Sequence, residues 1–181
     1  MALGQYEGQA PDLRPGPFGN HYIQFYATDG AETIIGKLLS GFENMWTDEY
    51  DRRCKELSMT VDDIIILASI IEREAGSVAE MGKVSSVFHN RLNIGMALQS
   101  CATVQYILPE RKDVLSITDT KIDSPYNTYL YPGLPEGPVA NPGKAAIEAA
   151  LYPEDTDYLY FRVNEEGVTL FSKTLTEHNS K

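Results

Sequence analysis

An α+β fold, mainly helical with a β-hairpin at its C-terminal end, is what this sequence predicts, and three observations predict it. Apolar residues recur at helical spacing along most of residues 29–107 and again at 143–151. Two alternating stretches, "DYLYFRV" and "VTLFSKT", flank the turn-forming "NEEG" near the end of the chain. A long aperiodic segment from Ile122 to Gly143, "IDSPYNTYLYPGLPEGPVANPG", separates the helical stretches. Helices with one terminal hairpin and no internal repeat define the α+β class. At 181 residues the chain suits a single domain with a real core.

Taken in order, residues 1–28 read as an irregular lead-in, Gly- and Pro-rich over the first twenty. Within it "HYIQFYA" alternates aromatic and polar residues in the manner of a short strand. Residues 29–181 form the domain proper. One helix is expected through "GAETIIGKLLSGFENMWTDEY", with Ile34, Leu38, Phe42, Met45 and Trp46 as a core stripe. Thr60 is the expected N-cap of the next helix, with Asp63 completing a capping box. That helix runs to about Ala75, where Gly76 suits a left-handed C-cap. Ser77 and Glu80 suit a second capping box, opening a helix whose face is Val84, Val87, Phe88 and Leu92 and whose stop is Gly95. A short helix covers "CATVQYIL". Asn141 and Pro142 are the expected N-cap and first residue of the helix "GKAAIEAAL".

The bulk chemistry excludes several classes. A net charge of −11 makes a phosphate backbone an unsuitable partner, so no nucleic acid is expected. No apolar run reaches membrane-spanning length and no signal-peptide pattern opens the chain, so a soluble chain without an export signal is expected. Cys54 and Cys101 have neither zinc spacing nor a C-x-x-C pattern. They read as unlinked thiols, although spacing does not decide a disulfide.

The stretch "ILASIIEREAG" raises the chemical question, because Glu72, Arg73 and Glu74 end a run apolar enough to be buried. At 100° per residue Glu74 shares a column with Leu67, Ile70 and Ile71. Desolvation and the negative end of the helix dipole both disfavour an ionised carboxylate there, which is the bias a general acid needs. Arg73 pulls the other way. Two readings stand on pattern alone: solvated residues at a fraying helix end, or an acid bordering a cleft. The Ile122–Gly143 segment has the length of a functional loop, and its aromatic content argues against disorder.

Taken in series, "LASIIEREAG", "VSSVFHNRLNIGMALQSCATVQYIL", "IDSPYNTYLYPGLPEGPVANPG", "AAIEAALYP", "DYLYFRV" and "LFSKTLTEHN" carry a resemblance. From about Leu67 to Asn179 the chain resembles the catalytic domain of the endolytic murein transglycosylase (YceG-like) family. The resemblance implies cleavage of peptidoglycan strands between N-acetylmuramic acid and N-acetylglucosamine without water, leaving 1,6-anhydro ends. It implies Glu74 as the single catalytic acid and base, Glu72 in a supporting role, and no metal or organic cofactor. Gln99, Thr103 and Tyr106 match the family's "LQ-x-x-x-T-V-x-Y" pattern and are placed near the cleft. From the loop, Tyr126, Tyr129 and Tyr131 are candidates to stack on sugars, with Ser124, Asn127 and Asn141 bonding acetamido and hydroxyl groups. Packing roles compete for most of these: Asn141 as a helix cap, Thr103 and Tyr106 as packing residues, the tyrosines as lid aromatics. His89, Asn90 and Arg91 are expected to brace structure, and Phe171 to pack.

The resemblance also implies peptidoglycan strands as partner, with the murein-synthesis machinery nearby, on the extracytoplasmic face of the bacterial membrane. The family's anchor and LysM-like domain have no counterpart here, the "EGYLFPDTY"-like segment has only a weak echo in "FYATDGAETII", and Cys101 stands where many relatives have aspartate. Those departures keep two alternatives open: a hydrolytic muramidase, or a truncated glycan-binding remnant with little activity.

Overall fold

The computed structural model describes residues 15–16, 19–22 and 25–181. The chain divides into two compact units, Met1–Thr47 and Asp48–Lys181.

In the first unit β1 (Pro15–Gly16) pairs antiparallel with β2 (Gly19–Tyr22), Pro15 opposite Tyr22. The expected "HYIQFYA" strand overlaps β2 at its first two residues; its next two, at 23 and 24, lie outside the described residues. Helix α1 (Ala31–Met45) follows, and Ile34, Leu38, Phe42 and Met45 are its better-covered face, as the spacing predicts. Lys37 Nζ donates to Asp29 Oδ2 at 2.5 Å, tying α1 to the turn before it. That contact is the main cause holding the Asp29 carboxyl below its ordinary range. The single helix expected across residues 30–50 is broken: the Trp46 backbone is extended and α2 starts anew at Asp48. Asp48, Glu49 and Asp51, all in the first turn of α2, mark that restart, since carboxylates favour the positive helix end.

The second unit contains α2 (Asp48–Leu57), α3 (Val61–Glu74), α4 (Met81–Asn93), α5 (Cys101–Ile107) and α6 (Lys144–Leu151). A hairpin follows, β3 (Tyr160–Val163) against β4 (Thr169–Ser172), and then α7 (Leu175–Ser180). The strands pair in register, Phe161 opposite Phe171, across the predicted "NEEG" turn, where Gly167 takes φ +77°. Helix α3 is the centre, touching α2, α4, α5 and α6. An apolar surface nearly all round requires this: Ile64, Leu67, Ala68, Ile70 and Ile71 are all fully buried. Each large side chain so buried contributes about 1.5–3 kcal/mol. The Ala-rich face of α6 lets it lie close against α3, with Ala146, Ile147 and Ala150 at zero exposure. Phe88 of α4 meets Phe161 of β3 edge-to-face at 5.8 Å, joining helices to hairpin.

The Thr60 capping box is present in full: Asp63 N–H donates to Thr60 Oγ1 at 3.1 Å and Thr60 N–H to Asp63 Oδ2 at 2.8 Å. Thr60→Ala should therefore cost about 1 kcal/mol in urea unfolding. A change below about 0.3 kcal/mol would mean the cap is redundant with the core packing of α3.

Three local expectations fail, two of them because a partner distant in sequence takes over. Gly76 has no positive φ, and α3 ends at Glu74 with Ala75 as an extended C-cap. Ser77 makes no side-chain cap; Glu80 instead accepts from Thr169 Oγ1 at 2.9 Å, and a single 3₁₀ turn at Val78–Glu80 leads into α4. Asn141 is exposed and caps nothing. The N-cap of α6 is Gly143, whose N–H donates to Glu72 Oε2 at 3.1 Å. Gly95 stops the α4 segment as expected, with φ +66°. Helix α7 was not foreseen, although "TLTE" carries its signal: Thr174 Oγ1 accepts from Glu177 N–H at 3.2 Å. No helix among the described residues is long and apolar enough to cross a membrane. Cys54 is a buried free thiol and Cys101 an exposed one.

Candidate active site

Glu74 is the last helical residue of α3 and borders two clefts, of about 310 and 290 Å³, both of which Cys101 also lines. Its Oε1 accepts from Ser100 Oγ at 2.5 Å and from Ala102 N–H at 3.0 Å. Oε2 takes no hydrogen bond among the described residues. Ser100 occupies the N-cap position of α5 yet makes no side-chain cap, because its hydroxyl is spent on Glu74. Glu74 thus closes one helix and faces the first turn of another. The expectation drawn from α3 alone left out these two donors.

Ser100 is itself pinned from the loop. Its N–H donates to Thr128 Oγ1 at 3.1 Å, and Gln99 N–H donates to Thr128 O at 3.0 Å. Gln99 has φ +48°, a left-handed conformation uncommon outside glycine, held here by that backbone bond. Its exposed side chain lines the smaller cleft. Thr103 is fully buried, donates to Ser100 O at 2.8 Å and shares a 2.9 Å bond with Thr128 Oγ1. Its hydroxyl braces the turn that carries Ser100.

The loop is fixed by its own polar groups. Asn127 is fully buried, donating to Thr120 O at 3.1 Å and Ile122 O at 2.7 Å while accepting from Tyr129 N–H at 3.0 Å. Ser124 Oγ accepts from Tyr126 N–H at 3.3 Å. On α3, Ser69 and Glu72 hold the far end of the loop, Ser69 Oγ accepting from Val139 N–H at 2.9 Å. Glu72 is therefore an anchor for the start of α6. Tyr129 reaches the cleft, its hydroxyl 3.2 Å from Cys101 Sγ. Burial first, and the Cys101 contact second, push its phenol above the usual range, so it stays a neutral donor. Tyr106 and Tyr126 pair at 4.8 Å between centroids, and neither lines the two clefts beside Glu74. A Cβ on Gly137 would lie 2.7 Å from Tyr126 Oη, so glycine there lets that ring seat.

Of the predicted residues, the structure brings Glu74, Gln99 and Tyr129 together. Thr103, Asn127, Ser124 and Glu72 hold the frame, while Tyr106, Tyr126 and Asn141 lie outside the two clefts. The sequence reading missed Ser100 and Thr128, whose partners lie far off in sequence, and also Tyr160 and His178, which line the smaller cleft. His178 stacks on Tyr160 at 5.5 Å, and burial lowers its pKa. The expected braces do brace: His89 Nε2 bonds Ala150 O at 2.8 Å, and Asn90 Nδ2 donates to Thr156 O and Tyr158 O at 2.8 and 2.9 Å. Phe171 packs on Tyr158 at 5.6 Å and Phe161 at 6.1 Å.

Comparison with known proteins gives a consistent result. The sequence model of the YceG-like family matches residues 17–181. An endolytic murein transglycosylase of Bacillus subtilis (strain 168) is 45% identical over 136 residues, 75% of this chain and 38% of that protein. One from Streptococcus pneumoniae serotype 2 (strain D39 / NCTC 7466) is 31% identical over 154 residues, 82% of this chain and 28% of that one. A crystal structure of a putative yceG-like protein from Listeria monocytogenes superposes with a TM-score of 0.77 at 40% identity, covering 91% of this chain and 53% of that one. The chain spans under two fifths of the length of the two curated relatives and about half of the Listeria chain.

Proposed function

The chain belongs to the YceG-like family, and from that premise we propose that it is a lytic transglycosylase unit acting within peptidoglycan glycan strands. One observation carries the reading: a cleft-lining carboxylate, Glu74, fixed through Oε1 by two donors and left with Oε2 unbonded among the described residues. A group locked at one oxygen and open at the other is oriented for proton transfer, where geometry matters before acidity. Glu74 borders both clefts, of about 310 and 290 Å³, which supply room for a glycan strand.

In this reading Glu74, protonated, gives its proton to the oxygen between N-acetylmuramic acid and N-acetylglucosamine, and the C1–O bond breaks. The C6 hydroxyl of the same muramic acid attacks C1, and the Glu74 carboxylate takes the hydroxyl proton. A 1,6-anhydro ring forms, no water is consumed, and the glutamic acid is restored. Nucleophile and electrophile share one sugar, so proximity comes from the substrate. Glu72, Thr103, Asn127 and Ser124 act through the frame; Gln99 and Tyr129 are the side chains set to touch sugar. The substrate places the reaction outside the cytoplasmic membrane, beside the machinery that polymerises murein. Mass spectrometry of digested glycan tests the reading, with products lighter than hydrolytic ones by one water.

A hydrolytic muramidase is the second reading, favoured by Asp113, a second carboxylate lining the larger cleft with Glu74. Hydrolysis with a carboxylate pair would need both. Asp113→Asn should leave the yield of anhydro ends within about twofold under the lytic mechanism. A fall of about a hundredfold in total strand cleavage, with hydrated products from the parent protein, would make Asp113 a catalytic partner instead.

A further inference from the structure

The larger cleft beside Glu74 departs from the acidic balance of the whole sequence. Three of its lining side chains are cationic, Arg73, Arg111 and Lys112, against two carboxylates, Glu74 and Asp113. The whole sequence has 15 basic and 26 acidic residues. Lys112 is already engaged, its Nζ 2.6 Å from Asp119 Oδ1. Arg73 and Arg111 are exposed, and neither has a hydrogen bond or ion pair among the described residues.

The wall carrying Arg111 is built rather than loose. Gln105 on α5 clamps the backbone of Lys112 from both sides, Nε2 donating to its carbonyl at 2.6 Å and Oε1 accepting its N–H at 3.1 Å. Asp119 then gathers Lys112 Nζ, Ser116 N–H at 2.8 Å and Ser116 Oγ at 2.7 Å. Lys112 and Ser116 hold that carboxyl down to about 2, so the brace persists through the neutral range. Two unpaired guanidiniums therefore meet one concavity from opposite elements, Arg73 from the end of α3 and Arg111 from the segment after α5.

We infer that this cleft takes the carboxylates of the peptide stems borne by the glycan strand, with Arg73 and Arg111 as the receiving groups. The inference rests on the proposed action of Glu74 on peptidoglycan. Stems hang from the lactyl group of the sugar whose C1–O bond is cut, so their carboxylates lie beside Glu74 when that bond does. Arg73 is the next residue to Glu74 and lines the same cleft, which places the anion on the molecule being cut. A flat anionic lipid surface fits a concave site poorly. Arginine's planar fork suits carboxylate pairing better than lysine. The substrate class is thus the stem-bearing strand, in preference to bare glycan.

The test is binding, measured on the full chain carrying Glu74→Gln so that nothing is turned over. Short strands are compared with stems intact, with stem carboxylates converted to amides, and with stems removed. Carboxylate-bearing strands should bind about three- to tenfold tighter than the amidated ones at low salt. The ratio should fall towards one at high ionic strength and in the variant that adds Arg73→Gln and Arg111→Gln. Both arginines are exposed, so thermal unfolding should be unmoved by their loss and serves as the folding control. Equal affinity for intact and amidated strands would overturn the inference, as would a preference that survives without both arginines or a match by anionic lipid vesicles. Release of anhydro ends by the native chain is scored separately, so failure of the catalytic reading is distinguishable from failure of the stem site.

Discussion

Replacing Glu74 by glutamine should cut the release of anhydro ends by about 10²–10⁴-fold while leaving the fold intact. The amide keeps the shape of the side chain, and its carbonyl oxygen can still accept from Ser100 Oγ and Ala102 N–H. What disappears is the proton that Oε2 would deliver to the leaving oxygen. Unfolding in urea should therefore move by no more than about 0.5 kcal/mol. The parallel change Glu72→Gln should cost far less activity, since Glu72 holds Gly143 N–H and touches neither cleft. A Glu74→Gln protein as active as the parent would remove Glu74 from the mechanism.

The largest stability effect is expected at Arg91. This residue of α4 is 7% exposed and has no carboxylate partner among the described residues. Its Nε donates to Leu159 O at 2.7 Å, and one Nη donates to Leu98 O at 2.7 Å and Ala97 O at 3.3 Å. The guanidinium lies 5.3 Å from the Tyr160 ring centroid, and burial lowers its pKa. One side chain thus ties α4 to the strand lead-in of β3 and to the segment that carries Gln99 and Ser100. Arg91→Met keeps the bulk and removes every donor, leaving partly buried carbonyls unpaired. The cost should be about 3 kcal/mol, a fall in melting temperature of roughly 6–12 °C for a chain of this size. Arg91→Lys should recover only part of it, because an ammonium on a flexible stem cannot reach both walls in the geometry of the fork. A methionine variant within about 0.5 kcal/mol of the parent would show the carbonyls find other donors.

Local patterns survived folding where no group distant in sequence competed for either partner. Thr60 and Asp63 cap α3, Val84, Val87 and Phe88 bury one face of α4, Gly95 stops it, and the terminal strands pair around Gly167. Patterns failed where a distant group offered a better partner. Glu80 left Ser77 for Thr169. Asn141 lost the cap of α6 to a glycine whose N–H meets Glu72 from α3.

The site divides along the same line. The order of residues alone determined that α3 is buried on several faces, that Glu72 and Glu74 end it, and that an aromatic-rich loop follows, because periodicity and composition are properties of neighbours in sequence. Only the tertiary structure decided what each polar group does. Thr103, Asn127 and Glu72 became struts, Gln99 and Tyr129 reached the cleft, and Ser100 came to grip Glu74. A hydrogen bond goes to whichever donor and acceptor are brought within about 3 Å, and for groups some twenty-five to seventy residues apart only the packing of the helices sets that distance.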